Sequence, residues 1–239
     1  MTNYRKLTSA EIEVLKQQVC SASDWDQIEV AEGFLPETVH HTRFSGHVRL
    51  GVFRKEFCLP GGIRKPSGIG FATLHNVTVG DDCCIENVKN YIANYEIGHD
   101  TFIENVDIIL TDCVSSFGNG VEVSVLSETG GREVMIFDNL TAQTAYVMAL
   151  YRHRPEMVSR LRGMIEAYVE SVSSSVGTIG SNSVIVDSGY IKNVKIGDFC
   201  KIEGASRLKN GSINSKEEAP VHVGVGVIGD DFIISSGSS

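Results

Sequence analysis

The sequence lacks any apolar run long enough to span a bilayer, so it holds no candidate transmembrane helix. It lacks a signal peptide as well: Met-Thr-Asn-Tyr-Arg-Lys is followed by polar residues rather than an apolar core. Six cysteines are scattered without metal-ligand spacing, so no metal site is expected. They read as reduced thiols of a cytoplasmic protein, with Cys83 and Cys200 as small core residues. Positive charge is also scarce. Lys and Arg number 21 against 30 Asp and Glu, a formal net charge of −9, which argues against nucleic acid as the main partner.

What the chain does have is a pulse of six residues. Val79, Ile85, Tyr91, Ile97, Ile103 and Ile109 are each six apart, and three steps make a unit of 18. Asn76-Val77-Thr78-Val79-Gly80-Asp81 is echoed 18 residues later by Asn94-Tyr95-Glu96-Ile97-Gly98-His99. It returns as Asn193-Val194-Lys195-Ile196-Gly197-Asp198. A fixed internal period marks a repeat architecture. In each six-residue step the aliphatic residue at position one and a small residue at position five (Cys83, Thr101, Cys200, Ser206, Ser212) are expected to point inward. Gly, Asn and Asp between them suit tight corners. Successive units would stack as parallel strands about 4.8 Å apart. The alternative, a β-sandwich, gives no reason for an 18-residue echo.

Phasing the chain on this pulse sets the expected organisation. Phe44 and Leu50, then Ile63 and Ile69, place the first repeats at 42–113, with an irregular stretch at Pro60-Gly61-Gly62. Thr178, Val184, Tyr190, Ile196, Ile202, Leu208 and Asn214 place more at 177–239, with a corner loop at 215–220 and Ile228 and Ile234 resuming the beat. Residues 1–41 read as a cap, with Thr8 and Glu11 opening a helix through about Cys20. Residues 114–176 read as an insertion: a hairpin from Val121 to Phe137 turning at Thr129-Gly130-Gly131-Arg132, then two helices. The second starts at Pro155 and carries Val158, Leu161, Ile165, Tyr168 and Val172 as an apolar stripe.

The hexapeptide pattern resembles that of left-handed parallel β-helix proteins, and the handedness follows from the resemblance. Several strings resemble a bacterial family of unknown function whose members carry such a domain. They include Glu29-Val30-Ala31-Glu32-Gly33-Phe34, Arg49-Leu50-Gly51-Val52-Phe53, Glu128-Thr129-Gly130-Gly131-Arg132-Glu133 and Ala149-Leu150-Tyr151-Arg152-His153-Arg154-Pro155. The resemblance implies that the chain, which stops at Ser239 directly after a repeat strand, is a fragment of a longer solenoid. The wider hexapeptide superfamily implies a homotrimer and an acyltransferase or sugar-nucleotide-transferase-like activity. Acyl-CoA or a nucleotide sugar would be the small-molecule ligand, and a histidine the general base. The competing reading is a non-catalytic scaffold or ligand-binding, regulatory domain.

For the base, His99 lies at a corner of the strongest repeat, His222 follows the 215–220 loop, and His75 precedes a repeat. None has an acidic partner identifiable from spacing, so the fragment alone is expected to be inactive. The alternative for each is a surface histidine. Arg152, His153 and Arg154 precede Pro155 at a helix N-terminus and, with Arg132, form a candidate anion site. The alternative there is a turn whose arginines pair with acidic neighbours.

Overall fold

In the computed structural model, which describes residues 3–125 and 130–238, the protein is mainly β with few helices. Its centre is a 17-stranded sheet. Apart from Tyr4–Lys6, which runs antiparallel to Ile28–Ala31, the pairing is parallel throughout. Each strand pairs with its counterpart one repeat later. Val79 faces Ile97 and Ile85 faces Ile103, 18 residues on. Ile97 then faces Ile179 across a jump of 82 residues, so 111–176 leave the sheet and the register resumes without a slip.

The inward residues form one continuous core from Leu15 to Val223 that includes Val79, Ile85, Ile97, Ile103, Ile196, Ile202 and Leu208. The strict six-residue phase needs correcting elsewhere. Tyr91 is exposed, and Thr178, Val184, Tyr190 and Asn214 are only half-buried. Their neighbours Ile92, Ile179, Ile185, Ile191 and Ile213 point inward instead. The reason is a shortened step. Ile92 lies opposite Ile109, Ile179 opposite Ile196 and Ile185 opposite Ile202, each 17 residues on rather than 18. Ala205, not Ser206, is the buried small residue, and Ser212 is buried beneath the insertion, donating to the Phe117 carbonyl. Ile63 and Ile228 are exposed, and Ile234 is half-buried.

Corners recur in three columns, each residue in the left-handed region. Asn76, Asn94, Asn193, Asn210 and Asp231 form one column, and Asp82, Asp100, Asn182 and Phe199 a second. Val19, His41, Phe71, Asn87, Asn105, Asp187 and Gly204 form the third. Asn and Asp tolerate this conformation because short polar side chains bond locally. Asn76 Nδ2 donates to Asn94 Oδ1 at 3.1 Å and Asn105 Nδ2 to Asp187 Oδ1 at 2.5 Å, so the columns are also hydrogen-bonded ladders. Gly46 tops the first column at φ +62°; a Cβ there would sit 2.1 Å from Asn76 Oδ1.

At the start, α1 (Ser9–Gln17) is opened by the Thr8–Glu11 capping box and ends three residues before the expected Cys20. The sheet begins earlier than residue 42: Ser21 pairs with Arg43, and Ile28 with Val48. Within the excursion, Glu122–Ser124 and Glu133–Met135 pair antiparallel. Of the expected turn, Thr129 lies outside the described residues. Two helices follow, α2 (Ala142–Leu150) and α3 (Pro155–Val172). These bury a separate small cluster of Val134, Met135, Met148, Ala149 and Ile165. Of the expected α3 stripe only Ile165 is fully buried; Val158, Leu161, Tyr168 and Val172 are half-covered, because one hairpin and one short helix cannot enclose an 18-residue helix.

Candidate functional site

A second hairpin creates the main groove. Strands Glu56–Cys58 and Arg64–Pro66 pair antiparallel, and Gly61 and Gly62, both at positive φ, turn the tip. The hairpin lies across an outward sheet face and is held there at both ends. At its root, Arg54 and Lys55 donate backbone N–H groups to Asp82 Oδ1 at 2.7 and 2.9 Å, and Lys55 Nζ reaches Asp100 at 2.5 Å. On its return, Lys65 Nζ sits between Glu86 at 2.5 Å and Glu104 at 2.6 Å. Those carboxylates occupy adjacent rungs and would repel one another without it. Partial burial pulls the Lys65 pKa down, but its bonds to Glu104 and Glu86 outweigh this and raise it. Phe57 packs edge-on against Phe102 at 5.2 Å.

The hairpin also explains Cys84. Cys83 points into the core and Cys84 to the opposite face, yet both are buried, Cys84 under the hairpin. Desolvation pushes both thiols up to about 12, so neither is a nucleophile at neutral pH.

Beneath the hairpin tip is a groove of about 730 Å³. Phe57, Leu59 and Pro60 form its roof, and Phe102, Val184 and Val186 its floor. Glu104, Asp187, Lys201 and Glu203 form a polar rim in which every charge has a partner. Glu203 binds Lys201 Nζ at 2.8 Å and His222 Nε2 at 3.0 Å. The Lys201 bond, with help from His222, holds the Glu203 carboxyl below the usual carboxylate range. His222 follows Lys201 on the same sheet face, one rung beyond the groove lining. Because a carboxylate only accepts, Nε2 carries the proton in this pair and Nδ1 is the accepting nitrogen of the neutral ring.

The other histidines differ. His99 is exposed at a corner; its Nδ1 accepts from the Asp81 backbone N–H at 3.2 Å and lies 3.8 Å from Asp81 Oδ2. It is not among the groove residues. The expectation that His99 and His222 lack acidic partners is therefore corrected: Asp81 and Glu203 stand beside them, one repeat earlier in the stack. His75 Nδ1 lies 2.9 Å from Ser45 Oγ. Asn76 Oδ1 is fixed by the His47 N–H, so its Nδ2 donates to His75 Nε2. That leaves His75 Nδ1 as donor to Ser45, the wrong direction for activating a nucleophile.

The candidate anion site is divided. Arg152 pairs with Glu133 at 3.2 Å, and Glu133 also accepts from the Gly131 N–H. His153 leans on the Tyr151 ring at 5.4 Å. His153 and Arg154 share a shallow depression of about 470 Å³ with Glu156 and Arg160, which Arg132 and Arg152 do not line. Among the described residues no group of three or more His, Cys, Asp or Glu is arranged to hold a metal ion. Among the described residues no helix is long and apolar enough to cross a membrane.

Sequence reasoning missed the groove because its roof comes from the stretch where the pulse fails, 56–66. The available signal was Lys201-Ile202-Glu203, whose alternation places Lys and Glu on one outward face.

An uncharacterized protein of Treponema pallidum (strain Nichols) is 28% identical over 235 residues, which is 94% of this chain and 32% of that protein. The chain thus spans about a third of the length of the curated relative it matches. A family described as "Domain of unknown function (DUF4954)" matches residues 4–239, and the chain belongs to it.

Proposed function

We propose that this chain is a ligand-binding module built on a left-handed parallel β-helix, and that its ligand lies in the groove beneath the 56–66 hairpin. The triangular coil is supported by the three corner columns and the repeat of 17 or 18 residues. Its left-handed sense rests on the hexapeptide resemblance. The observation that carries the binding reading is the groove itself, about 730 Å³ with an apolar floor and a rim whose charged groups each have a partner. Such a site suits a small molecule with an apolar body and hydroxyl or amide groups. It does not favour a bare polyanion, since Lys201 is already engaged by Glu203. Oligomerisation as a homotrimer belongs to the same reading; the exposed Met157 and Met164 of α3 are its physical support.

Acyl or sugar-nucleotide transfer is the second reading, favoured by one observation: the His222–Glu203 pair at the groove edge. There His222 Nδ1 would take a proton from an acceptor hydroxyl while Glu203 steadies the resulting imidazolium. One experiment separates the two readings. The chain and its Val184→Arg and His222→Ala variants are screened by thermal shift against acylated and glycosylated small molecules, then assayed with acyl-CoA. A binding module gives stabilising ligands that Val184→Arg abolishes and His222→Ala spares. Turnover lost in His222→Ala establishes the transferase. No stabilising ligand and no turnover sink both.

A further inference from the structure

The third corner column changes character along its length. From Asn87 onward it is built of Asn87, Asn105, Asp187 and Gly204, the residue types that accept a left-handed backbone. Its first three members are Val19 at φ +61°, His41 at +47° and Phe71 at +50°. Histidine is tolerated there, but the β-branched Val19 and the bulky Phe71 are true outliers. Val19 is the sharpest case. It follows α1, where the Cys20 N–H donates to the Leu15 carbonyl and the Val19 N–H to the Lys16 carbonyl, a helix ending that ordinarily uses glycine. Burial does not compensate: Val19 is 62% exposed and Phe71 50% exposed.

The three side chains form a ridge. His41 stacks on Phe71 with centroids 4.6 Å apart and planes at 20°, and His40 meets the Phe71 edge at 5.5 Å. Beside it lies a hollow of about 390 Å³ that Val19, His41, Arg43 and Phe71 help line. Among the described residues Arg43 has no ion pair and no side-chain hydrogen bond, and the same holds for the rings of His40 and His41. Arg43 is one of several cations of the chain without an ion pair, and it stands beside two exposed rings.

We propose that this corner is a second binding site, for a small molecule carrying a ring that can stack on an aromatic face and an anionic group. The ring would lie along the Phe71–His41 ridge, and the anion would accept from the Arg43 guanidinium and a histidine N–H. The corner needs the left-handed backbone but not a valine or a phenylalanine in it, and a strained residue type kept at an exposed corner is the pattern of a functional position.

Isothermal titration of the 239-residue chain with glucose 6-phosphate and with uridine 5′-monophosphate tests this, with glucose and uridine as uncharged controls. At least one phosphate should bind with a Kd of about 1 mM or tighter, at least tenfold better than its uncharged control. The two arms tell a sugar ring from a base. Arg43→Gln and Phe71→Asn should each weaken binding at least tenfold, while Val184→Arg in the hairpin groove leaves it unchanged. Phe71→Asn should also raise the melting temperature, because asparagine already serves at Asn87 and Asn105. Absence of binding by both phosphates, or unchanged binding in Phe71→Asn, overturns the site. A lower melting temperature in Phe71→Asn overturns the strain argument on which it stands.

Discussion

The stacked sheet and the 111–176 excursion bury their apolar residues in different ways. In the sheet each inward residue meets its equivalent one repeat away, so Ile97 lies between Val79 and Ile179 and is 3% exposed. The excursion has no repeat to lean on. Its cluster of five buried residues is closed by one hairpin and two helices, and Met164 of α3 remains 71% exposed. It is tied to the sheet by polar contacts. Asp138, itself held by Tyr168 Oη within the excursion, accepts from Asn214 Nδ2 at 2.9 Å, and Asn119 Nδ2 reaches Ser212 Oγ at 3.3 Å. Repetition thus gives a continuous core with fixed register. A single insertion gives a local unit that can open alone.

The largest expected effect tests that contrast. Ile97→Asp buries a charge in the middle of the stack and should destabilise the whole chain by more than about 4 kcal/mol. Ile165→Asp should unfold only the excursion. Denaturant unfolding followed by circular dichroism, with limited proteolysis to map what opens, distinguishes the two. Global unfolding by Ile165→Asp would mean that the excursion and the sheet form one cooperative unit.

Next in size is the hairpin clamp. Lys65→Met removes the cation between Glu86 and Glu104, whose side chains are only 27% and 28% exposed. It should cost about 1–3 kcal/mol, and hydrogen exchange should rise at 55–67 but not in the excursion. Unaltered exchange at the hairpin would show that Phe57 and Lys55 hold it without Lys65.

The acid response comes third. The Arg5 guanidinium, bonded through both nitrogens, holds the Glu11 carboxyl at about 2, with the Thr8 N–H and hydroxyl contributing. Its folded value lies below its ordinary value of 4.5. The stabilisation is therefore complete above pH ~4.5 and is lost as pH falls towards 2. Glu11→Gln should remove about 1–2 kcal/mol at pH 7 and flatten the decline of stability over that window. An equally steep decline in the variant would place the acid sensitivity elsewhere, with Asp112, also held at about 2 by Lys192 first and Asn193 second, the leading alternative.

The smallest effect is expected at the excursion surface. Arg152→Ala breaks an exposed ion pair with Glu133 and should change stability by less than about 0.5 kcal/mol. A larger loss would show that this pair orders the hairpin.

Legibility followed the same division. Parallel stacking could be read from the 18-residue echo, since only a neighbour one repeat away gives identical residues identical surroundings. The change to 17 residues could not. Val184-Ile185-Val186 is aliphatic at every position, so its phase is ambiguous, and only the pairing of Ile185 with Ile103 and Ile202 fixes which residue points inward. The acidic partners of His99 and His222 were hidden for a related reason. Asp81 and Glu203 are 18 and 19 residues away, close only because strands stack.

The sequence by itself determined the repeat, the inward aliphatic residues of its most regular coils (Val79, Ile85, Ile97, Ile103 and Ile109) and the Asn, Asp and Gly corners, because those are local demands of backbone angle and side-chain alternation. It also determined that α3 would be helical, from its apolar spacing and Pro155. Only the tertiary structure decided where the irregular stretches would rest. Nothing in 56–66 says that it folds back over Glu86 and Glu104, and nothing in 114–176 says which side of the sheet it covers. Those choices depend on charges and surfaces that come together only after the strands have stacked.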